Sequence, residues 1–287
     1  LEISAYLQRE DPKGFKLMVG DKGYDQALEA AARKCQENDP VSAVRFAAVY
    51  KDKGYFEEIF NNSLPNAVKE DPETVLGAFT GEFSKRSDSK EVVTQAAEAL
   101  LVKDPLKLIS LSTSLDVLPD SEKFRLLDVA VDSIASKDPH KLVDDQWEYM
   151  GLPETDRVRI LERSLQVLAK SDPESVLKLN QYSLEGLTTE QKDNVTLQAA
   201  QLLAAKDPQK LIEEFAYNLK DISGGSEVVA AAAMQLIKDG NAEIVLVNRF
   251  KLDGLDAKQQ TEIIIAVCEA AKATGKGEAA LNGFSHL

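Results

Sequence analysis

Chemistry in a protein chain starts with its nucleophiles, its histidines and its paired acids, and this chain of 287 residues holds only two Cys and two His. Cys35 and Cys268 lie too far apart to suggest a disulfide framework. Two thiols with two imidazoles at this spacing cannot make a zinc site either. Both thiols fall on apolar columns of the sequence, as small core residues do, whereas a reactive thiol needs exposed, electropositive surroundings. His140 comes just after an Asp-Pro pair and His286 is one residue from the end, so both read as solvated side chains and not as general bases. Acid pairs such as Asp144-Asp145 and Glu213-Glu214 carry no signal in a chain with 48 acidic residues. Gly275-Lys276-Gly277 lacks the upstream glycine and the following Ser or Thr of a phosphate loop. The expectation is therefore no catalytic residue, no cofactor and no metal ligand. The alternative is a hydrolase or lyase of the α/α-toroid kind. It would need two carboxylates across an aromatic-lined cleft, and 6% aromatics argues against that.

One set of residues does form a row. Tyr182, Tyr217 and Phe250 occupy one column of a repeat, and Trp147 and Tyr149 flank that column one repeat earlier. Exposed, these five would make a ladder able to grip a peptide, since Trp and Tyr are common binding anchors. Buried, they would seal neighbouring hairpins. They are the candidate partner-binding residues.

The elements that must carry this row are set by a dipeptide. Asp-Pro occurs at Asp11-Pro12, Asp39-Pro40, Asp71-Pro72, Asp104-Pro105, Asp138-Pro139, Asp172-Pro173 and Asp207-Pro208, at intervals of 28, 32, 33, 34, 34 and 35 residues. Glycine continues the series at Gly240 and Gly275. Proline suits the first position of a helix, where its missing N–H costs nothing, and it forces the preceding residue out of the α region. An aspartate held there is a good N-cap. Lys103, Lys137 and Lys206 precede three of these aspartates, where a cation favours the negative end of a helix. Each Asp-Pro reads as a corner between two helices.

Four and five residues after the Asp, or after Gly240 in the last case, stand apolar pairs: Val75 and Leu76, Leu108 and Ile109, Leu142 and Val143, Val176 and Leu177, Leu211 and Ile212, Ile244 and Val245. They open the buried stripe of a first helix. A second helix has three columns four residues apart, the spacing of one helix face. They are Val92, Leu126, Ile160, Val195, Val228, Ile263; then Ala96, Ala130, Ser164, Ala199, Ala232, Val267; then Leu100, Ile134, Leu168, Leu203, Leu236, Ala271. Loop chemistry separates the two helices, with Leu118, Leu152, Leu187 and Leu255 plugging the hairpin end. Asp21-Lys22-Gly23-Tyr24 and Asp52-Lys53-Gly54-Tyr55 repeat one loop in which Gly is expected to take the left-handed position.

Helical hairpins at this period resemble the HEAT, armadillo and tetratricopeptide solenoids over roughly residues 11–274, with HEAT the nearest label. The tetratricopeptide signature is missing, for the chain holds a single Trp. The resemblance implies an all-α, right-handed α-solenoid superhelix of about eight two-helix repeats with a 33–35-residue period, working as a protein-binding scaffold through its concave face. It is read as one domain, 1–287, with irregular repeats at 11–70, regular ones at 71–274 and a partial repeat or tail at 275–287.

Charge narrows the partner. A formal net charge of −14 opposes nucleic acid, whose binders neutralise phosphates with Lys and Arg, and leaves a protein or peptide, basic in character, as the expected partner. No apolar run reaches the length of a bilayer span, so no membrane insertion is expected and the chain reads as soluble. Cytoplasmic and exported settings both stay open.

Overall fold

A computed structural model describes residues 12–49, 54–81, 83–180, 182–273, 275 and 277–284. Asp11, Asp52, Lys53, Lys276 and His286, each part of an expectation above, lie outside the described residues. The described chain is all-α, with no strand. It divides into two compact units, Leu1–Ala130 and Val131–Leu287, and the division falls inside a helix and not at a linker.

The first unit contains α1 (Pro12–Asn38), α2 (Pro40–Val49), α3 (Gly54–Glu70), α4 (Pro72–Thr80), α5 (Ser89–Lys103) and α6 (Pro105–Ser110). α7 (Asp120–Ala135) crosses the division. The second unit continues with α8 (Lys141–Asp144), α9 (Glu154–Ser171), α10 (Pro173–Leu177), α11 (Thr189–Lys206) and α12 (Pro208–Lys210). It ends with α13 (Gly225–Lys238), α14 (Ala242–Val247), α15 (Ala257–Lys272) and α16 (Gly277–Gly283).

The Asp-Pro corners are helix-to-helix junctions. The N–H of Asp39, Asp71, Asp104, Asp172 and Asp207 closes the outgoing helix on the carbonyl four residues back, at 2.7–2.9 Å. The carboxylate of the same residue then accepts the N–H three residues on, from Ser42, Thr74, Lys107, Ser175 and Lys210 at 3.0–3.2 Å. One residue thus ends one helix and starts the next. Asp138 departs from this: its carboxylate accepts from the His140 N–H at 3.0 Å, and α8 begins only at Lys141. At Gly240, where no Asp-Pro exists, a different device serves. Gly240 takes φ 83°, its N–H reaches the Ile237 carbonyl, and Asn241 N–H reaches Leu236, a paired closure that only a left-handed residue allows.

The apolar columns are the core. All three second-helix columns are buried except Ala271, which is half-buried, and the first-helix pairs are buried except for half-buried Leu177 and Ile244. Truncating a buried Leu costs about 2–5 kcal/mol, against about 0.5–2 for losing an N-cap. Packing therefore holds the helices together, while the aspartates decide where each one stops. Within the second unit, consecutive long helices α9, α11, α13 and α15 pack on one another. Their side chains build two buried clusters that share Leu177. In the first unit phenylalanines dominate, with Phe60–Phe79 and Phe79–Phe83 ring centroids 5.8 and 5.5 Å apart and the Arg86 guanidinium 4.1 Å from the Phe60 centroid.

Two expectations need correcting. After α4, which has 9 residues, the first helix of a repeat is not a full partner of the second: α6, α8, α10 and α14 span only 4–6 residues, and α12 only 3. Most of them run on into a single 3₁₀ turn, and α12 into a π turn over Leu211–Phe215 and then a 3₁₀ turn. Ser112-Thr113-Ser114, Trp147, Asn180, Tyr217-Asn218 and Asn248 follow the apolar pairs. These residue types either compete for backbone hydrogen bonds or lose side-chain freedom in a helix. The second correction concerns Gly23 and Gly54. Neither has positive φ; Gly23 is helical, Gly54 opens α3, and the break in α1 is at Gly20, with φ 70° and ψ 170°.

Replacing Asp104 or Asp207 by Ala is expected to cost about 0.5–2 kcal/mol each, read from urea unfolding, with Asp138→Ala costing less because it caps no helix. The Ser42 and Ser175 donors hold Asp39 and Asp172 below the usual carboxylate range. A carboxylate with a lowered folded-state pKa stabilises the fold above its unfolded value, and that contribution vanishes as pH falls through the folded value. Stability is therefore expected to drop below about pH 4, and Asp172→Asn, which can still cap, is expected to make that acid slope shallower.

Candidate functional site

The aromatic row sits on the turns that follow the short helices, and the reason is local. The short helices end at or near their buried apolar pairs, and 3₁₀, π or irregular turns follow. Trp147 lies in the turn Gln146–Glu148, Tyr217 in Ala216–Leu219 and Phe250 in Arg249–Leu252, while Tyr182 lies in the turn after α10. Their exposures are 69%, 58%, 53% and 75% respectively, so four of the five candidates face solvent. Tyr149 does not. It is 3% exposed, its hydroxyl donates to the Leu142 carbonyl at 2.8 Å, and burial pushes that hydroxyl above its ordinary pKa. Tyr149 anchors its turn and cannot belong to an exposed ladder.

Neighbouring turns are tied together. Gln146 donates its side-chain N–H to the Ser183 carbonyl at 2.8 Å, and Lys251 Nζ to the Glu213 carbonyl. Gly254 lies so close to Lys220 that a Cβ there would stand 2.5 Å from the lysine Cβ. Cations accompany the rings: Lys220 Nζ is 4.1 Å from the Tyr217 centroid and 3.0 Å from its hydroxyl, and the Arg249 guanidinium is 4.4 Å from the Phe250 centroid. Next to Trp147, Lys141 bridges Asp145 at 2.6 Å and Glu148 at 2.9 Å, which holds Asp145 below the usual carboxylate range. Met150 and Val247, 58% and 61% exposed, extend the apolar surface.

The second unit has concavities beside these turns and between its long helices. One, of about 300 Å³, sits under Met150 and Tyr182, and its lining includes Arg157 on α9. Another, of about 780 Å³, is an open groove between α11 and α13 with an alanine floor and Gln201, Glu227, Gln235 and Asp239 along it.

The remaining chemistry-bearing residues are spread out. His140 Nε2 lies 3.4 Å from Asp172 Oδ2, but Ser175 donates to that same aspartate and not to the histidine, so the three do not form a nucleophile–base relay. Cys35 is half-buried, and burial, followed by the charge of Asp39, raises its thiol pKa. Cys268 packs at the edge of the core. Among the described residues, no group of three or more His, Cys, Asp or Glu is placed to hold a metal ion, and no helix is long and apolar enough to cross a membrane. Comparison with family models, with curated proteins and with solved structures found no match.

The row could be found in the sequence because its spacing is that of the repeat. The cavity could not: Arg157 looks like any surface arginine of a helix, and Met150 has no counterpart at its column. As the sole tryptophan, Trp147 reports on this surface. Its emission is expected at the wavelength of a water-exposed indole and to be quenched readily by acrylamide. Tyr149→Phe is expected to cost about 0.5–1.5 kcal/mol by stranding the Leu142 carbonyl, with Trp147 quenching unchanged.

Proposed function

We propose that the chain is an α-solenoid of about eight helical repeats, nearest in kind to the HEAT and armadillo class, and that it acts as a non-catalytic scaffold for a basic protein segment. The observation that carries this reading is the exposure of Tyr182, Tyr217 and Phe250 at one position of successive repeats, with Trp147 exposed beside that position one repeat earlier. Large aromatic side chains turned to solvent in a row leave much apolar surface in water, and such surface marks interaction sites. Rigid rings also bind with little loss of side-chain freedom. The net charge of −14 supports a basic partner, through attraction during encounter more than through affinity itself.

The test is a panel of defined peptides, lysine-rich or glutamate-rich, each with and without aromatic residues. Binding is measured by fluorescence anisotropy at two salt concentrations. The lysine-rich aromatic peptides are expected to bind saturably and to weaken as salt rises. Changing all four exposed aromatics to Ala is expected to weaken them by a factor of ten or more, on the order of one hot spot lost. Equal binding by the four-fold variant would remove the row from the function.

A further inference from the structure

The cavity under Met150 and Tyr182 has a property that the row alone does not explain. Among the described residues the Nε–H of Arg157, on the first turns of α9, is shut off from solvent and has no hydrogen-bond partner, while the side chain as a whole is half-buried. A donor shut off from water and left unpaired is unfavourable, and an acceptor brought to it by a partner relieves that. Tyr149, Val158 and Leu161 give the cavity an apolar side, Gln146 adds a polar group, and Met150 and Tyr182, which also line it, are exposed. Glu154 and Glu185, both exposed, also line the cavity.

These features select an occupant. The space, about 300 Å³, is at the lower bound for a small-ligand pocket and takes one large side chain with its main-chain group. The Nε–H shut off from water calls for an oxygen acceptor. Two carboxylates against one guanidinium leave the site with an excess of negative charge, which disfavours a free anion and favours flanking cations. We propose that this cavity receives one large apolar side chain of a basic peptide segment, with Arg157 donating to that residue's main-chain carbonyl and Glu154 and Glu185 facing lysines or arginines on either side. The inference rests on the scaffold reading and adds to it the place where the partner's anchor residue enters.

The probe is a short acetylated and amidated peptide with a central phenylalanine between lysines. Its alanine-centred and glutamate-flanked counterparts are compared with it, and Trp147 fluorescence and titration calorimetry give the readout. Arg157→Met is expected to weaken the lysine–phenylalanine peptide on the order of tenfold. Val158→Phe, which narrows the cavity from α9, is expected to do the same and carries the test should Arg157→Met fail to fold. Tyr217→Ala with Phe250→Ala, remote in sequence from the cavity lining, tests the row separately. Wild-type binding by both cavity variants, equal binding of the alanine-centred or glutamate-flanked peptide, or no saturable change with the lysine–phenylalanine peptide would each overturn the assignment. In the first case a weakened Tyr217/Phe250 variant would leave the scaffold reading standing.

Discussion

The architecture depends on one backbone constraint. A proline forbids the residue before it from being helical, and an aspartate in that place turns the interruption into a junction. Its N–H completes the outgoing helix and its carboxylate satisfies an N–H that the incoming helix would otherwise leave bare. Helix ends leave several such groups unpaired, so sharing one residue between two ends removes the need for a linker. Lys103 adds a tie between corners, donating from Nζ to the carbonyl of Glu70, the last residue of α3, at 2.9 Å. The lysine before the aspartate thus serves the helix end of the preceding repeat.

The corners and columns were legible in the sequence because each has a one-residue cause. Asp-Pro has little freedom in what it can do, and residues such as Val92, Leu126 and Ile160 repeat their type as well as their position. Lengths were less legible. Nothing in Leu142-Val143 announces that α8 stops after 4 residues, because the stop comes from the loss of apolar periodicity at Gln146–Tyr149 and from a tertiary bond of Tyr149 to Leu142. Gly23 and Gly54 misled because a repeated glycine suggests a left-handed residue, whereas Gly20 takes that conformation.

For the candidate surface, spacing located the row but could not orient it. Trp147 and Tyr149 are two residues apart with opposite fates, one in solvent and one against α8. Their turn is 3₁₀, so the alternation follows from local backbone geometry that composition does not encode. Arg157 is less visible still, since a missing partner is a property of three-dimensional surroundings and leaves no trace in the residue type.

The ties between neighbouring turns have a mechanical consequence. Gln146 is held to the Ser183 carbonyl and Lys251 to the Glu213 carbonyl, and Gly254 lies close against Lys220. A turn anchored to its neighbour has less backbone freedom left to lose, so whatever presses against it meets a surface already set in shape and not one that must first be ordered.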